Sequence, residues 1–578
     1  PPAVPAGRRH GPDRCPLPRP QGSRPRHCHH RLLPLLSALL LAPGLEACQP
    51  PRPEQTLVVA SRNRIDALDP IAVYSIGAQQ VLSALGDPLY ALDAQGRLLP
   101  RLATAPPQIS ADGRHARINL RRGVLFHDGS RFDGPAMAFS LQRFMAAAKL
   151  GYLLTDRVKA VRAVGPYSIE LELHRPFSPL PRLLSSVLLT PVSPQAYRQH
   201  PRRPLPGQFV GTGPYRLIAS STEQQRLRPF RHYWGPAPRN AGLDLVTLSN
   251  STALLGALRS GEVDVLLSTS LEVDHRQALH RDAERGVLRE GRGPAFEISY
   301  LTLLTDQPPL QNPTLRRAIA HSLDRQLISR RVTLGLQPPL RQLVPPSLPG
   351  SDPAAWPTYD PQQARRLLRQ AGYCQGRVLS LPLTFRSNVP SDRLFALTWQ
   401  AQLQRDLADC LRLEVNGLES TTAYRQLGDG TFPLILLDWM GDYPDADNYL
   451  APLLSCRRRR GQRCLEGNSA SSGSFWSTVG LERDLERSTS LTGPSRDALL
   501  RRIQRQTAAA SPYIPVWLVA PLAWSRPDVS TPRFDGSGRV DLAALHKRTS
   551  TTHHPRTEQL RPTAGPAHGS GSSASGGR

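Results

Sequence analysis

Long apolar runs and lysine are both scarce in this sequence. Beyond residue 48 no stretch of about 18 apolar residues occurs, so we expect no membrane-spanning helix there. Only three of the 72 basic residues are lysines, which indicates a GC-rich coding bias behind the formal charge of +26. No basic stretch with interleaved aromatic residues, such as a single-strand nucleic-acid groove would need, is present. We therefore expect no nucleic-acid partner.

Catalytic and metal-binding motifs are missing as well. The sequence has no G-x-S-x-G elbow, P-loop or HExxH motif. Gly211 and Gly213 lack the third glycine of a dinucleotide fingerprint, and the adjacent His127 and Asp128 fit no catalytic triad. Four Asp residues between 438 and 447 lack the spacing of a calcium loop. These absences predict a protein that is not an enzyme and that uses no cofactor or metal.

The amino-terminal segment 1–47 is predicted to be a leader with a signal peptide. Its apolar run from Leu32 to Ala42 has the length of a signal-peptide hydrophobic region and is too short for a stable membrane span. A buried core helix is the alternative, but Pro34 and Pro43 interrupt the run. We expect the protein to be exported.

The end of that segment, Leu45-Glu46-Ala47-Cys48, resembles the lipobox of bacterial lipoproteins. The resemblance implies that Cys48 is acylated and becomes the first mature residue. Glu46 departs from the small residue usual at its position. The expected location is the periplasmic face of the cytoplasmic membrane, with a lipid anchor, or the cell envelope.

Four of the seven cysteines lie in the body of the chain, beyond Cys15, Cys28 and Cys48. An even number of cysteines in an exported chain predicts disulfides. Three pairings exist on paper, and proximity in sequence favours Cys374–Cys410 and Cys456–Cys464. A zinc site is the alternative, but no ligand spacing supports it. The arginine run 457–460 is expected to form a solvated loop closed by the second bridge.

Strand-like and helix-like segments alternate from about residue 56 to 545. Asn312-Pro313 and Asp360-Pro361 are typical helix starts. Pro433 to Leu437 reads as a buried strand. Strands separated by helices predict a mainly parallel, doubly wound sheet, whose ligands lie beyond the carboxyl ends of strands. The segment after Leu437 is therefore a candidate ligand site, whereas 546–578 is expected to be a disordered tail.

Short phrases in a fixed order carry a family resemblance over some 400 residues. They are Asp87-Pro88-Leu89-Tyr90, Leu99-Pro100-Arg101-Leu102-Ala103, Leu120 to Gly129, Gly211-Thr212-Gly213-Pro214-Tyr215, Tyr233-Trp234, Ser260-Gly261-Glu262-Val263-Asp264, Leu315-Arg316-Arg317-Ala318-Ile319, Leu323-Asp324-Arg325 and Tyr359-Asp360-Pro361. Together they resemble the peptide/nickel-binding family of bacterial extracellular solute-binding proteins. The resemblance implies an α/β, periplasmic binding protein-like fold with two hinged lobes, mainly parallel sheets and a smaller accessory lobe.

The same resemblance implies a division of the chain into lobes. Lobe I is expected to combine 55–95, 205–295 and 491–545, accessory lobe II to span 96–204, and lobe III to span 296–490. The implied function is to capture peptides outside the cytoplasm and deliver them to the permease subunits of an ABC importer. We expect a monomer. Alternatives are a non-peptide ligand such as nickel, a metal chelate, haem or a sugar, or a sensory role.

Five residues are candidate ligand contacts. Asp442, one residue after Gly441, matches the family position that pairs with the α-ammonium of a bound peptide. Arg386 matches the position where dipeptide binders place an arginine against the ligand carboxylate, which a planar guanidinium can bind with two hydrogen bonds. Trp439 and Tyr443 would wall the pocket, with a core position as the alternative. For the other acids of this segment, Asp438, Asp445 and Asp447, we favour structural roles.

Overall fold

The computed structural model describes residues 55–62, 65, 67–73, 75–267 and 271–548. The predictions for the leader 1–47, for acylation at Cys48 and for the tail beyond residue 548 lie outside the described residues. All of the described residues belong to one compact unit.

Twenty strands are found among the described residues. They are β1 (Thr56–Ser61), β2 (Tyr90–Leu92), β3 (Leu98–Pro100), β4 (Gln108–Ile109), β5 (His115–Asn119), β6 (Val158–Gly165), β7 (Ser168–Leu173), β8 (Tyr215–Ser220), β9 (Gln224–Pro229), β10 (Gly242–Thr247), β11 (Val265–Leu267), β12 (Arg289–Arg292), β13 (Glu297–Leu303), β14 (Leu379–Arg386), β15 (Leu411–Leu418), β16 (Leu434–Met440), β17 (Arg458–Arg460), β18 (Arg463–Glu466), β19 (Tyr513–Val519) and β20 (Leu522–Ser525). The predicted arginine loop is thus the hairpin β17–β18.

Sixteen α-helices lie between these strands in the described part of the chain. They are α1 (Ile76–Leu85), α2 (Gly134–Ala147), α3 (Tyr152–Thr155), α4 (Leu180–Leu183), α5 (Pro194–Tyr197), α6 (Ser251–Ser260), α7 (Val273–Glu284), α8 (Pro313–Ser322), α9 (Arg325–Val332), α10 (Pro361–Gln370), α11 (Pro390–Asp406), α12 (Ser420–Gln426), α13 (Asp447–Leu454), α14 (Asn468–Ser471), α15 (Leu481–Ser490) and α16 (Gly493–Ala510). Two short 3-10 helices span Val187–Leu189 and Leu427–Asp429. None of these helices is long and apolar enough to cross a membrane.

Predicted helix starts coincide with observed caps. The Asp360 side chain accepts a hydrogen bond from the Gln363 N–H at 2.8 Å, and Pro361 occupies the first turn of α10. The Asn312 side chain caps α8 in the same way, with Pro313 next to it. Each cap satisfies a backbone N–H that has no partner within the helix.

Two mixed sheets form the centre of the fold. The first has seven strands in the order β12-β20-β11-β1-β10-β9-β8, and the second has five in the order β15-β14-β16-β13-β19. Among the described residues, an antiparallel four-stranded sheet, β4-β5-β7-β6, and two hairpins make up the remainder. The lobed α/β class is confirmed.

The prediction that these sheets are mainly parallel is wrong. Parallel pairing joins β1 to β10 and β11, and β14 to β15 and β16. The chain enters lobe III at the start of β13, which lies beside the end of β16. Glu297, the first residue of β13, therefore pairs with Met440, the last residue of β16, and the two strands run in opposite directions. In the first sheet, β8 and β9 are joined by a short turn, which requires antiparallel pairing.

Both faces of each sheet are covered by apolar cores. Alternate residues of β1 point to opposite sides, so Leu57 and Val59 belong to the core shared with lobe II, while Val58 and Ala60 belong to the core under α6 and α7. The five-stranded sheet likewise separates two clusters. Two short connections, residues 293–296 and 520–521, join the sheets.

The predicted lobe I segment 491–545 is divided between the two sheets. Strand β19 pairs with β13 in the five-stranded sheet, whereas β20 pairs with β11 and β12 in the seven-stranded sheet. The chain therefore returns to lobe I at residues 520–521 and not near residue 491. The sequence shows a boundary at neither place, because β19 is apolar throughout and reads equally well as a strand of either lobe.

Candidate functional site

Strand β16 leads from the core of lobe III to the edge that faces lobe I. Leu434 to Leu437 are fully buried, as predicted, whereas Pro433 is half-buried and precedes the strand. The strand continues past its predicted end at Leu437 to Met440. Met440 pairs with Glu297 of β13, and alternate residues of a strand share a face. Asp438 and Glu297 therefore leave the sheet on the same side, at its edge.

A cavity of about 270 Å³ lies at this edge, between the two sheets. Its charged lining residues are Asp438 and Glu297 from lobe III and Arg276 of α7 from lobe I. Its apolar walls include Ile76, Leu271, Phe296, Met440 and Trp517. Residues 519–521, which connect the lobes, also line it. This inter-lobe cavity thus places two carboxylates and one guanidinium among apolar side chains from both lobes.

Arg386 was predicted to bind a ligand carboxylate, but two carboxylates of the protein occupy its guanidinium. Its Nε donates to Asp392 Oδ2 at 2.7 Å, and a terminal nitrogen donates to Asp438. The other terminal nitrogen lies 3.2 Å from the Tyr424 hydroxyl. Since Arg386 is only 5% exposed, these contacts leave no open face for a ligand. They make Arg386 an anchor that holds Asp438 at the cavity wall.

Glu297 has a different environment. Within the described part of the chain its carboxylate makes no hydrogen bond and no ion pair, although it lines the cavity. Burial and the neighbouring Asp438 raise the pKa of Glu297 well above its ordinary value, while Arg386 and Arg276 act in the opposite direction. With Asp392 included, three carboxylates and two guanidinium groups interact here. With all five groups ionised, this cluster would carry one negative charge in excess.

Asp442 lies beyond β16, against accessory lobe II. The Ser186 hydroxyl donates to its backbone oxygen at 3.1 Å, and its own N–H donates to Asn448 Oδ1 at 2.8 Å. Burial raises the pKa of the Asp442 carboxyl to about 6, against the effect of a hydrogen bond from the Asn448 side chain. Among the ion pairs of the described residues, none includes Asp442. It is a largely buried carboxylate without a cation.

Gly441 permits this placement. A Cβ at this position would lie 3.0 Å from the Tyr449 ring and 3.1 Å from Asn448 Oδ1. A side chain would push Asn448 away, and Asn448 is the residue that bonds to Asp442. The close approach explains the glycine, so its role in the structure is to shape the turn.

Tyr443 occupies a core position, and the half-buried Trp439 packs against a core. Trp439 packs against a lobe III cluster and donates from Nε1 to the Asn448 backbone oxygen at 2.7 Å. Tyr443 is 5% exposed, and its hydroxyl donates to Asp447 at 2.7 Å. Neither lines the inter-lobe cavity. These contacts favour the core alternative over the predicted pocket wall.

The structural roles predicted for Asp445 and Asp447 agree with their contacts. Asp445 forms a two-contact ion pair with Arg496, one of them 3.0 Å long, and both side chains are buried. Asp447 accepts from Tyr443 and lies 3.5 Å from Arg157. Asp438, which we had placed in the same structural group, lines the cavity and is the exception.

The sequence reasoning missed Glu297 and Arg276. Glu297 had a usable signal, because an acid at the first position of the otherwise apolar strand β13 interrupts its core-facing residues. Arg276 had none, because α7 is polar along most of its length. That Arg276 lies across the cavity from Glu297 follows from the tertiary fold and not from any local sequence pattern.

Both predicted disulfides are confirmed. Cys374 is bonded to Cys410 and Cys456 to Cys464. No group of three or more His, Cys, Asp or Glu side chains suited to hold a metal ion occurs in the described ranges.

The fold and the cleft define a class of protein. Two α/β lobes joined by two short connections, with a cavity between them, are the architecture of two-lobed solute-binding proteins. Residues 97–461 match the model of the bacterial extracellular solute-binding proteins, family 5 Middle. The chain belongs to this family, and the resemblance inferred from its short phrases is confirmed.

Two groups of known proteins are similar to the chain. The chain is 28% identical to the glutathione-binding protein GsiB of Salmonella paratyphi A over 346 residues. This aligned region covers 59% of this chain and 66% of that protein. GsiB of Escherichia coli K12 is 26% identical over 325 residues, which cover 55% of this chain and 62% of that protein. The match thus spans just under two thirds of the length of these relatives.

The solved structures share the fold. A dipeptide binding protein from Pseudoalteromonas sp. SM9913 in complex with Met-Leu has a TM-score of 0.71 and 21% identity, and covers 86% of this chain and 100% of that chain. NikA from Brucella suis in complex with Fe(III)-EDTA has a TM-score of 0.75 and 21% identity, and the match covers 85% of this chain and 100% of that chain.

Proposed function

We propose that this protein is the extracytoplasmic solute-binding component of an ABC importer and captures peptides by their free amino terminus. The observation that carries the proposal is Asp442, a largely buried carboxylate that Asn448 orients and that no cation of the described residues neutralises. Burying a carboxylate without a counter-charge is unfavourable. A peptide α-ammonium would supply both the charge and the N–H donors.

The known ligands of related proteins support this ligand class. GsiB is named as a glutathione-binding protein, and two proteins of the same fold were solved with the dipeptide Met-Leu and with the peptide STSA. Family membership supports a binding role over an enzymatic one. The neighbour with Fe(III)-EDTA shows that the fold also accepts a metal chelate, which is an outcome of the test below.

In this proposal Arg386 is a positioning residue and not the ligand-carboxylate site. Its guanidinium pairs with Asp392 and Asp438 and holds Asp438 at the inter-lobe cavity. Asp442 and Gly441 remain the proposed amino-terminus site, with Gly441 acting through the turn. Trp439 and Tyr443 support that turn from the core.

The test is calorimetry with a free-amine tripeptide and its N-acetylated form, on the wild type and on Asp442→Asn. We expect the substitution to weaken binding of the free-amine peptide by about 2–5 kcal/mol, because the ammonium loses its partner in a buried site. That loss corresponds to roughly thirty-fold or more in affinity. The acetylated peptide should bind weakly to both proteins.

Asp429→Asn is the matched control, since Asp429 is an exposed carboxylate in the same lobe. It should leave both affinities unchanged. If acetylation and Asp442→Asn reduce affinity additively, Asp442 does not hold the amine. If only a metal chelate binds, the peptide assignment is overturned.

We further propose that the mature protein begins at an acylated Cys48, acts as a monomer at the outer face of the cytoplasmic membrane and docks on the permease. The lipobox-like segment before Cys48 supports the anchor. In the native host, globomycin should cause the precursor to accumulate, and Cys48→Ala should release the protein from membranes. A Cys48→Ala protein that stays with membranes after a high-salt wash would contradict the anchor.

A further inference from the structure

The inter-lobe cavity contains a carboxylate that no described residue engages in a hydrogen bond or an ion pair. Glu297 lines this cavity and lies at the start of β13, directly after the connection 293–296. Its carboxylate forms no hydrogen bond or ion pair with any described residue. It differs from Asp442, which is oriented by Asn448 against lobe II. The cavity therefore has an acidic group of its own, separate from the amino-terminus site proposed above.

The charges around Glu297 leave an excess of one carboxylate. Asp438 and Asp392 share the guanidinium of Arg386. Arg276, on the opposite side of the cavity, faces both Glu297 and Glu272. Glu272 also lies 3.8 Å from Arg62, and the charges of Glu272 and Arg62 cancel, so Glu272 does not change this excess. A cation entering the cavity would balance the group, whereas an anion would increase the excess.

The walls of the cavity favour a cation at the end of an apolar stem. Phe296, Trp517 and Met440 present apolar surface beside the carboxylates, together with Leu271 and Ile76 from lobe I. Lysine and arginine side chains combine an aliphatic stem with a charged end and bury the stem along such surfaces. The aromatic rings of Phe296 and Trp517 can add a favourable interaction with the cation.

We propose that the inter-lobe cavity is a subsite for a cationic side chain of the ligand, an alkylammonium or a guanidinium, with Glu297 as its principal counter-charge. The proposal rests on the proposed function and deepens it. Asp442 would hold the peptide amino terminus, and the cavity would select peptides that contain lysine or arginine. Burial and the neighbouring Asp438 raise the pKa of Glu297 despite the nearby Arg386 and Arg276, so a further cation at the carboxylate would favour its ionised form.

The first experiment compares matched tripeptides by calorimetry. Lysine and its neutral isostere norleucine are placed in turn at each position of a tri-alanine peptide. At one position we expect the wild type to prefer lysine by about tenfold or more. Glu297→Gln should reduce this preference to less than about threefold while leaving the norleucine peptide unchanged. Glu284→Gln, at an exposed carboxylate of α7, should keep the wild-type preference.

The second experiment uses a probe that does not depend on peptide binding. Saturation-transfer NMR with pentylammonium, and with 1-pentanol as its neutral partner, reports contact with the cavity. We expect a signal from pentylammonium in the wild type and in Glu284→Gln that is lost in Glu297→Gln. Thermal melting of each variant confirms that it is folded.

These outcomes separate the two proposals. If free-amine peptides do not bind but pentylammonium shows a signal that depends on Glu297, the proposed function fails and the subsite stands. If the pentylammonium signal is absent or is the same in Glu297→Gln, the subsite is overturned. Peptides that bind without any preference for lysine over norleucine overturn it as well.

Discussion

Asp442 and Asp445 lie three positions apart in one loop, and the protein treats them differently. Asp445 is 1% exposed and forms a two-contact ion pair with Arg496. Asp442 is also largely buried, yet its partners are an amide and its own backbone. The comparison shows that residue type and position in the loop do not decide whether a carboxylate is paired with a cation. What distinguishes Asp442 is that no described residue forms an ion pair with it.

The same contrast occurs at the inter-lobe cavity. Asp392 and Asp438 share Arg386, whereas the carboxylate of Glu297, on the same face of the sheet as Asp438, forms no ion pair with a described residue. At each place, carboxylates that are paired with arginine lie beside one that forms no ion pair with a described residue. The unpaired members, Asp442 and Glu297, are those that we propose contact the ligand.

The largest expected effect is on stability, when Asp442 and Asp445 are each replaced by Asn in separate variants. Asp445→Asn should lower the free energy of unfolding by about 3–5 kcal/mol, because it leaves the buried Arg496 charge without a partner. Asp442→Asn should leave the stability of the empty protein unchanged or raise it by about 1 kcal/mol, since it removes a buried uncompensated charge. Urea unfolding at pH 7 measures both.

The expected direction of the stability change in Asp442→Asn follows from the pKa of Asp442. Because the folded-state pKa of about 6 is above its unfolded value, the penalty on the folded state is absent below pH 4, grows between pH 4 and 6, and is complete above that. Any gain in Asp442→Asn should therefore disappear at pH 4. Equal losses of stability in both variants would remove the distinction between the two carboxylates.

A smaller effect is expected on ligand binding as the pH changes. An ammonium ligand requires ionised Asp442, so the affinity for a free-amine peptide without basic side chains should fall as pH decreases through about 6. The loss should approach about tenfold per pH unit in the acidic range. Calorimetry between pH 4.5 and 7 measures it, and the Asp442→Asn protein should show a flat profile. A flat profile in the wild type would contradict the assignment.

Local features of the fold were predictable where neighbouring residues determine them. The caps Asp360 and Asn312, each followed by proline, fix helix starts because the side chain and the backbone that it bonds lie within one turn. The bridge Cys456–Cys464 closes a short loop, so sequence proximity was sufficient. In the site, the family phrase located the segment around Asp442.

Contacts between distant segments were not predictable. Arg386 matched a ligand-binding position, but its occupation by Asp438, 52 residues away, depends on how β14 and β16 pair. Glu297 and Arg276 meet only because the two lobes face each other. The antiparallel entry of β13 follows from the chain crossing between lobes, which no local pattern records.

The interleaving of the two sheets has a consequence for biosynthesis. Strand β19 completes the five-stranded sheet, and β20 lies inside the seven-stranded sheet between β11 and β12. Until these strands have joined, β12 has no neighbour linking it to the rest of its sheet, and β13 has a bare edge. Since both strands come from residues 513–525, neither lobe can complete its sheet on a partial chain. A nascent chain therefore cannot complete either sheet before residues 513–525 have been synthesised.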